Sequence, residues 1–120
     1  MYQVIEIYGD FEPWWFLEDW KDDIVSETTF STFKEALAFY TKKWEEFKRT
    51  FPSFQSRSDF MAAFWDDNEK RWCVDCDEDL QQYHSLLLLK DDQIIPEALH
   101  DEKFNLGNQV TTPPSCSLNF

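Results

Sequence analysis

The sequence predicts an α+β domain: an antiparallel sheet in the order β-β-α-β-β-β with one long amphipathic helix packed on a face. Three observations carry this. An apolar stripe recurs at helical spacing over residues 33–49, β-rich runs lie on both sides of it, and clusters of turn-forming residues separate those runs.

The first run, Tyr2 to Tyr8, alternates around Val4, Ile5 and Ile7 and reads as a central strand. Gly9-Asp10-Phe11-Glu12-Pro13 is the turn after it, because Pro13 has no N–H for a ladder. Trp14 to Trp20 is expected to resume as a second strand in a hairpin, with Lys21 to Thr29 as a polar connection. The helix follows from about Phe33 to Arg49. Phe33, Ala36, Leu37, Tyr40, Trp44 and Phe47 recur every three or four residues, so Leu37, Tyr40, Trp44 and Phe47 are expected against the sheet. Thr32 and Glu35 fit a capping box, Lys48-Arg49 suits the negative end of the helix dipole, and Pro52 lies just beyond. Asp59–Trp65, Lys70–Asp75 and Ser85–Leu89 complete the strands, with one helical turn expected over Asp77–Gln82. From Lys103 onward Asn, Gln, Thr, Pro and Ser dominate. The expected organisation is one domain over 1–103 and a flexible polar tail over 104–120.

The totals narrow the function. At 120 residues the chain is one ordinary domain, long enough for a core without metal or disulfide. Rings make up 18% of it, with 12 Phe, 6 Trp and 4 Tyr, so the core must be largely aromatic. Gly9 and Gly107 are its two glycines, which rules out a Gly-rich phosphate loop or dinucleotide fingerprint. A formal charge of -13 opposes binding to nucleic-acid phosphates and to anionic membranes, and favours a basic protein partner. The charge is uneven: residues 31–57 hold six bases and three acids, a net of +3, leaving -16 elsewhere. The start of the chain lacks a basic n-region and a long apolar run, and the three cysteines are an odd number. A cytoplasmic location with reduced thiols is therefore expected.

Several constellations invite a chemical reading. Cys73-Val74-Asp75-Cys76 is a C-x-x-C, but Asp75, Asp77, Glu78 and Asp79 around it disfavour a thiolate. On a strand, side chains three apart point to opposite faces, so the sulfurs are expected too far apart to bond. Zinc would need His84 with His100 or Cys116, and the spacing matches no common zinc module. A thiol- or zinc-dependent enzyme centred on Cys73, Cys76 and His84 is thus the weaker alternative, and no metal or other cofactor is expected. The acids at 75–79 lack the glycine and spacing of a calcium loop. Asp10, Glu12, Glu18 and Asp19 can pair as catalytic carboxylates, with Trp14 and Trp15 as a sugar platform. In a chain with 24 acids such pairs arise by chance, and a solvated surface is the simpler reading. The ring-rich stretch Trp14, Trp15, Trp20, flanked by Glu12 and Glu18, reads either as core or as an interface, because Trp anchors hot spots. A basic helix face at Lys42, Lys43, Lys48 and Arg49 offers a second contact surface.

Two long strings resemble a known family. Tyr2-Gln-Val-Ile-Glu-Ile-Tyr-Gly-Asp-Phe-Glu-Pro-Trp-Trp-Phe-Leu-Glu-Asp-Trp20 is one. Phe64-Trp-Asp-Asp-Asn-Glu-Lys-Arg-Trp-Cys-Val-Asp-Cys-Asp-Glu-Asp-Leu-Gln-Gln-Tyr-His-Ser85 is the other. Over roughly residues 1–105 the chain resembles the domain of unknown function 1033, found in Gram-positive bacteria. The resemblance implies no activity, cofactor or catalytic residue. Members encoded near transcription and DNA-uptake genes imply an accessory role around nucleic-acid machinery.

The expected function is a protein-interaction or accessory module, not an enzyme. Its contacts are expected at Trp14, Trp15, Trp20, Glu12 and Glu18, and its partner is a protein with a basic surface or a second copy. The alternatives are a regulator touching nucleic acid or its machinery through the basic helix face, and the thiol or zinc enzyme.

Overall fold

A computed structural model describes residues 1–15 and 18–108. Strand β1 (Tyr2–Gly9) leads into two 3-10 turns, Pro13–Trp15 and Trp20–Asp23, and then β2 (Ile24–Phe30). Helix α1 (Phe33–Thr50) follows. After it come β3 (Ser53–Arg57), β4 (Met61–Trp65), β5 (Lys70–Cys73), β6 (Glu78–Gln81) and β7 (Tyr83–Lys90). Two short strands close the described chain, β8 (Gln93–Ile94) and β9 (Leu106–Gly107). The main sheet has the order β2-β1-β7-β4-β3-β9, with β8 on β7 and every pair antiparallel. β5 and β6 form a separate two-stranded sheet.

The α+β class with one helix on an antiparallel sheet stands as the sequence predicts. The two-residue period of the strands sorts their side chains into two layers. Val4, Ala62, Phe64, Leu86 and Leu88 face α1, where they meet Ala36, Tyr40 and Trp44. Ile5, Ile7, Met61, Leu87 and Leu89 face the other way, under Trp14, Trp20 and Ile24. Burial on both faces explains why Leu86 to Leu89 is a continuous apolar run rather than an alternating one.

The helix phase holds at its centre. Ala36, Tyr40 and Trp44 are buried, while Leu37 and Phe47 lie half-buried on the flanks of the stripe. Trp44 Nε1 donates to the buried Ser56 Oγ at 2.9 Å. Only half of the capping box forms: the Glu35 N–H donates to Thr32 Oγ1 at 3.2 Å, and the Glu35 carboxylate accepts from the Thr32 hydroxyl rather than from a backbone N–H.

The expected element order is corrected at several points. The second strand is not Trp14 to Trp20. Its described parts form 3-10 turns that lay the rings of Trp14 and Trp20 over the sheet, Phe16 and Leu17 lie outside the described residues, and the polar Ile24–Phe30 pairs with β1 instead. As an edge strand, β2 keeps much of its surface in solvent, so its sequence is polar although rich in β-branched residues. Ser53–Arg57, without an apolar alternation, is also a strand, because Ser56 serves Trp44 and Phe54 enters the core. Asp77–Gln82 is largely strand β6 rather than a helical turn. The fold also continues beyond residue 103. Phe104 is buried among Tyr40, Trp44 and Phe60, and Asn108 accepts from the Phe54 N–H at 2.9 Å. Among the described residues no helix is long and apolar enough to cross a membrane.

Candidate functional site

β1 pairs with β7 as far as Gly9, but its pairing with β2 stops at Ile7. At Gly9 the chain passes close to the second 3-10 turn, and a Cβ there would lie 3.2 Å from Asp23 Oδ2. Asp10 to Pro13 then swings away and Trp20–Asp23 returns beside it. From the opposite wall, β5 presents Arg71 and the start of β7 is preceded by Gln82. Between them opens a cleft of about 400 Å³. Tyr8, Phe11 and Trp20 supply its rings, and Asp10, Glu12, Asp19 and Asp23 its carboxylates.

The two central acids are in different states. Asp10 accepts from Arg71 Nε at 2.9 Å and from Arg71 Nη2, a bidentate clamp, and from Gln82 Nε2 at 2.7 Å. The Arg71 hydrogen bonds, foremost, hold its carboxyl below the ordinary carboxylate range. Asp23 has no hydrogen-bonding or cationic partner among the described residues. Burial, and then the like charges of Asp19, Asp10 and Asp22, push its pKa up. One wall is stiffened by a second polar group. The Tyr8 hydroxyl donates to Glu69 Oε2 at 3.1 Å, and Glu69 Oε1 lies 2.8 Å from His84 Nε2. His84 in turn stacks on Phe51 with ring centres 4.4 Å apart.

The sequence matches the family described as "Protein of unknown function (DUF1033)" over residues 1–118. The chain belongs to that family. No curated protein and no solved structure matches it.

The DUF1033 chain divides the sequence-predicted contact residues. Trp15 points outward, 61% exposed, with its Nε1 donating to Glu12 Oε1 at 3.1 Å. Trp14 is turned in, its ring 5.6 Å from the Arg57 guanidinium carbon and packed on the Ile5 layer. Trp20 also packs on that layer while lining the cleft, and Glu18 is exposed. Along α1, Lys43 is paired to Glu6 at 3.3 Å and Lys48 lies over the Trp44 ring at 5.2 Å, while Lys42 is exposed and Arg49 extends from the last turn.

In this DUF1033 chain the cysteine expectation is overturned. Cys73 and Cys76 are joined in a disulfide, with Cα atoms 5.3 Å apart. The strand ends at Cys73 and the chain reverses over residues 74–77, so the pair spans a turn rather than opposite faces of a strand. His84 belongs to Glu69 and Phe51, and His100 Nε2 lies 2.8 Å from the Ile95 carbonyl. Among the described residues no three His, Cys, Asp or Glu side chains gather where they could hold a metal, and Cys116 lies outside those residues. Sequence reasoning missed Arg71, Gln82 and Asp23. Arg71 had one usable signal: with Lys70 it is the only basic residue in the acidic stretch 58–89, so an acidic partner for it was to be sought.

Proposed function

We propose that this protein is an interaction module that receives a basic segment of a partner protein, with a Lys or Arg side chain seated in the acidic cleft. The observation that carries this reading is Asp23, an uncompensated carboxylate among like charges beside the rings of Trp20, Tyr8 and Phe11. An entering cation relieves that repulsion and gains a cation–π contact. Exposed Phe11 in the cleft lining, and exposed Trp15 bonded to the lining residue Glu12, add apolar area for the segment around that cation. The net charge of -13 steers a basic surface toward the site, in the cytoplasmic setting expected from the sequence. Asp10, clamped and held ionised, suits charge recognition better than proton transfer near neutral pH. Self-association is less favoured because each copy brings the same negative field. Nucleic acid is less favoured because Lys43 and Lys48 on the helix face are already engaged within the fold.

The test is surface-plasmon binding of the full chain to a Lys/Arg-rich peptide, with an acidic peptide of equal length as control. Asp23→Asn should weaken binding, and Glu12→Gln with Glu18→Gln should slow association in a salt-dependent manner. Trp15→Ala should speed dissociation about tenfold. Equal binding of both peptides, or indifference to Asp23→Asn and Trp15→Ala together, refutes the reading.

A further inference from the structure

The β5–β6 hairpin stands apart from the main sheet and carries a feature that the cleft does not use. Its tip is the Cys73–Cys76 disulfide, which encloses only Val74 and Asp75. Cross-links that close so short a loop restrict the unfolded chain least, so stabilisation is a poor reason for this one. Its exposure and hydrogen bonding suit exchange, against the cost that the acids around it put on a thiolate. Cys76 is exposed and Cys73 half-buried. The Cys76 N–H donates to Cys73 Sγ at 3.2 Å, and that sulfur is the better placed to carry charge as the bond opens. The Asp77 N–H donates to the Cys73 carbonyl at 2.8 Å, with Asp77 in the left-handed region at φ 55°, which fixes the turn independently of the disulfide. Trp72 before the pair and Val74 within its loop are 54% and 81% exposed, an apolar platform for another chain.

We propose that Cys73–Cys76 is a thiol–disulfide exchange site for a dithiol partner with a neutral or basic surface. An external thiolate attacks the exposed Cys76 Sγ and forms a mixed disulfide. The Cys73–Cys76 bond breaks, and its electron pair leaves on Cys73 Sγ as a thiolate, to which the Cys76 N–H donates its hydrogen bond. The second thiol of the partner attacks the external sulfur and releases Cys76. The partner leaves oxidised to its disulfide, and two electrons and two protons have passed to Cys73 and Cys76. The reverse sequence reduces a partner disulfide through Cys76, with Cys73 resolving. Asp75, Asp77, Glu78 and Asp79 around the tip repel an anionic thiol and attract a cationic one, which gives the site its selectivity. This inference does not depend on what the cleft binds.

The experiment uses the full chain with Cys116→Ser, and free thiols counted by alkylation and mass. Cysteamine, a cationic thiol, should open the pair about tenfold faster than anionic glutathione at low salt, and the ratio should approach one at 1 M salt. In the same background Cys73→Ser should trap a mixed disulfide on Cys76 with a disulfide-bonded basic peptide, and Cys76→Ser should trap far less. Far-UV circular dichroism establishes that each variant is folded. The proposal is overturned if the purified thiols stay reduced under a mild oxidant, if they open only in denaturant, if stoichiometric zinc occupies them, or if the two thiols react at equal rates at low salt.

Discussion

Trp44→Ala removes the ring on which the helix-facing core is centred. The side chain is 4% exposed, meets Phe54 and Phe104 edge-on at 5.9 and 5.3 Å, and donates to Ser56 Oγ. Truncating a buried Trp costs about 3–5 kcal/mol from lost transfer free energy and the cavity. Ser56, fully buried, loses its indole donor as well, worth about 1 kcal/mol. A domain of this size holds roughly 6–18 kcal/mol in total, so the loss is a large share of it. Trp44→Phe separates the contributions: it keeps most of the apolar volume and drops the N–H, and should cost about 1–2 kcal/mol. Urea unfolding followed by far-UV circular dichroism reads both variants, provided the slope is unchanged. A cost below about 1 kcal/mol for alanine, or equal costs for phenylalanine and alanine, refutes this account of how α1 is held.

Three further outcomes are expected. Phe104→Ala should cost about 3–5 kcal/mol in the same assay, because its ring packs on Tyr40, Trp44 and Phe60; a silent substitution would put the end of the fold back before residue 104. Asp10, whose pKa is depressed, stabilises the fold above the ordinary carboxylate value of about 4 and loses this as pH falls through its lowered value. Asp10→Asn should therefore lower the urea midpoint at pH 7 and matter little in strong acid. Asp23, whose pKa is raised, disfavours the fold once ionised, so Asp23→Asn should raise the midpoint at pH 7, with the gain fading as pH drops below the ordinary value; a midpoint that falls would mean that Asp23 has a favourable partner.

The helix was legible because six ring or aliphatic positions repeat its period, and its buried centre needs no information from elsewhere in the chain. Central strands β1 and β7 were legible for a similar reason, being apolar on both faces. Edge strand β2 was not, because solvent on its free side removes the apolar signal while leaving only the β-branched composition. Trp14 to Trp20 misled in the opposite direction. Rings suit a strand, but here those of Trp14 and Trp20 form a covering layer, and composition alone does not separate the two. The cleft was half legible. Its acids and Trp20 stand in one stretch, yet the clamp that distinguishes Asp10 from Asp23 reaches across 61 residues to Arg71. The cysteine pair was not legible because Lys70–Asp75 reads as one continuous strand in the sequence, whereas the strand stops at Cys73.

The place of β1 between β2 and β7 sets the order in which the chain can fold. Tyr2 is opposite Lys90, so the central ladder pairs the first strand with residues from the far part of the domain. Contacts of such long separation make folding slow, since the loop must close before the pairing is gained. A chain emerging from the ribosome can meanwhile pair β1 with β2 and dock α1 on Val4, using only its first fifty residues. What remains open is one backbone edge of β1 and the face bearing Ile5 and Ile7, a surface prone to pair with other chains. Trp14 and Trp20 lie between β1 and β2 in the sequence and are already synthesised at that stage. The aromatic layer can therefore shelter the apolar face of the nascent chain until residues 83–90 arrive to close the sheet.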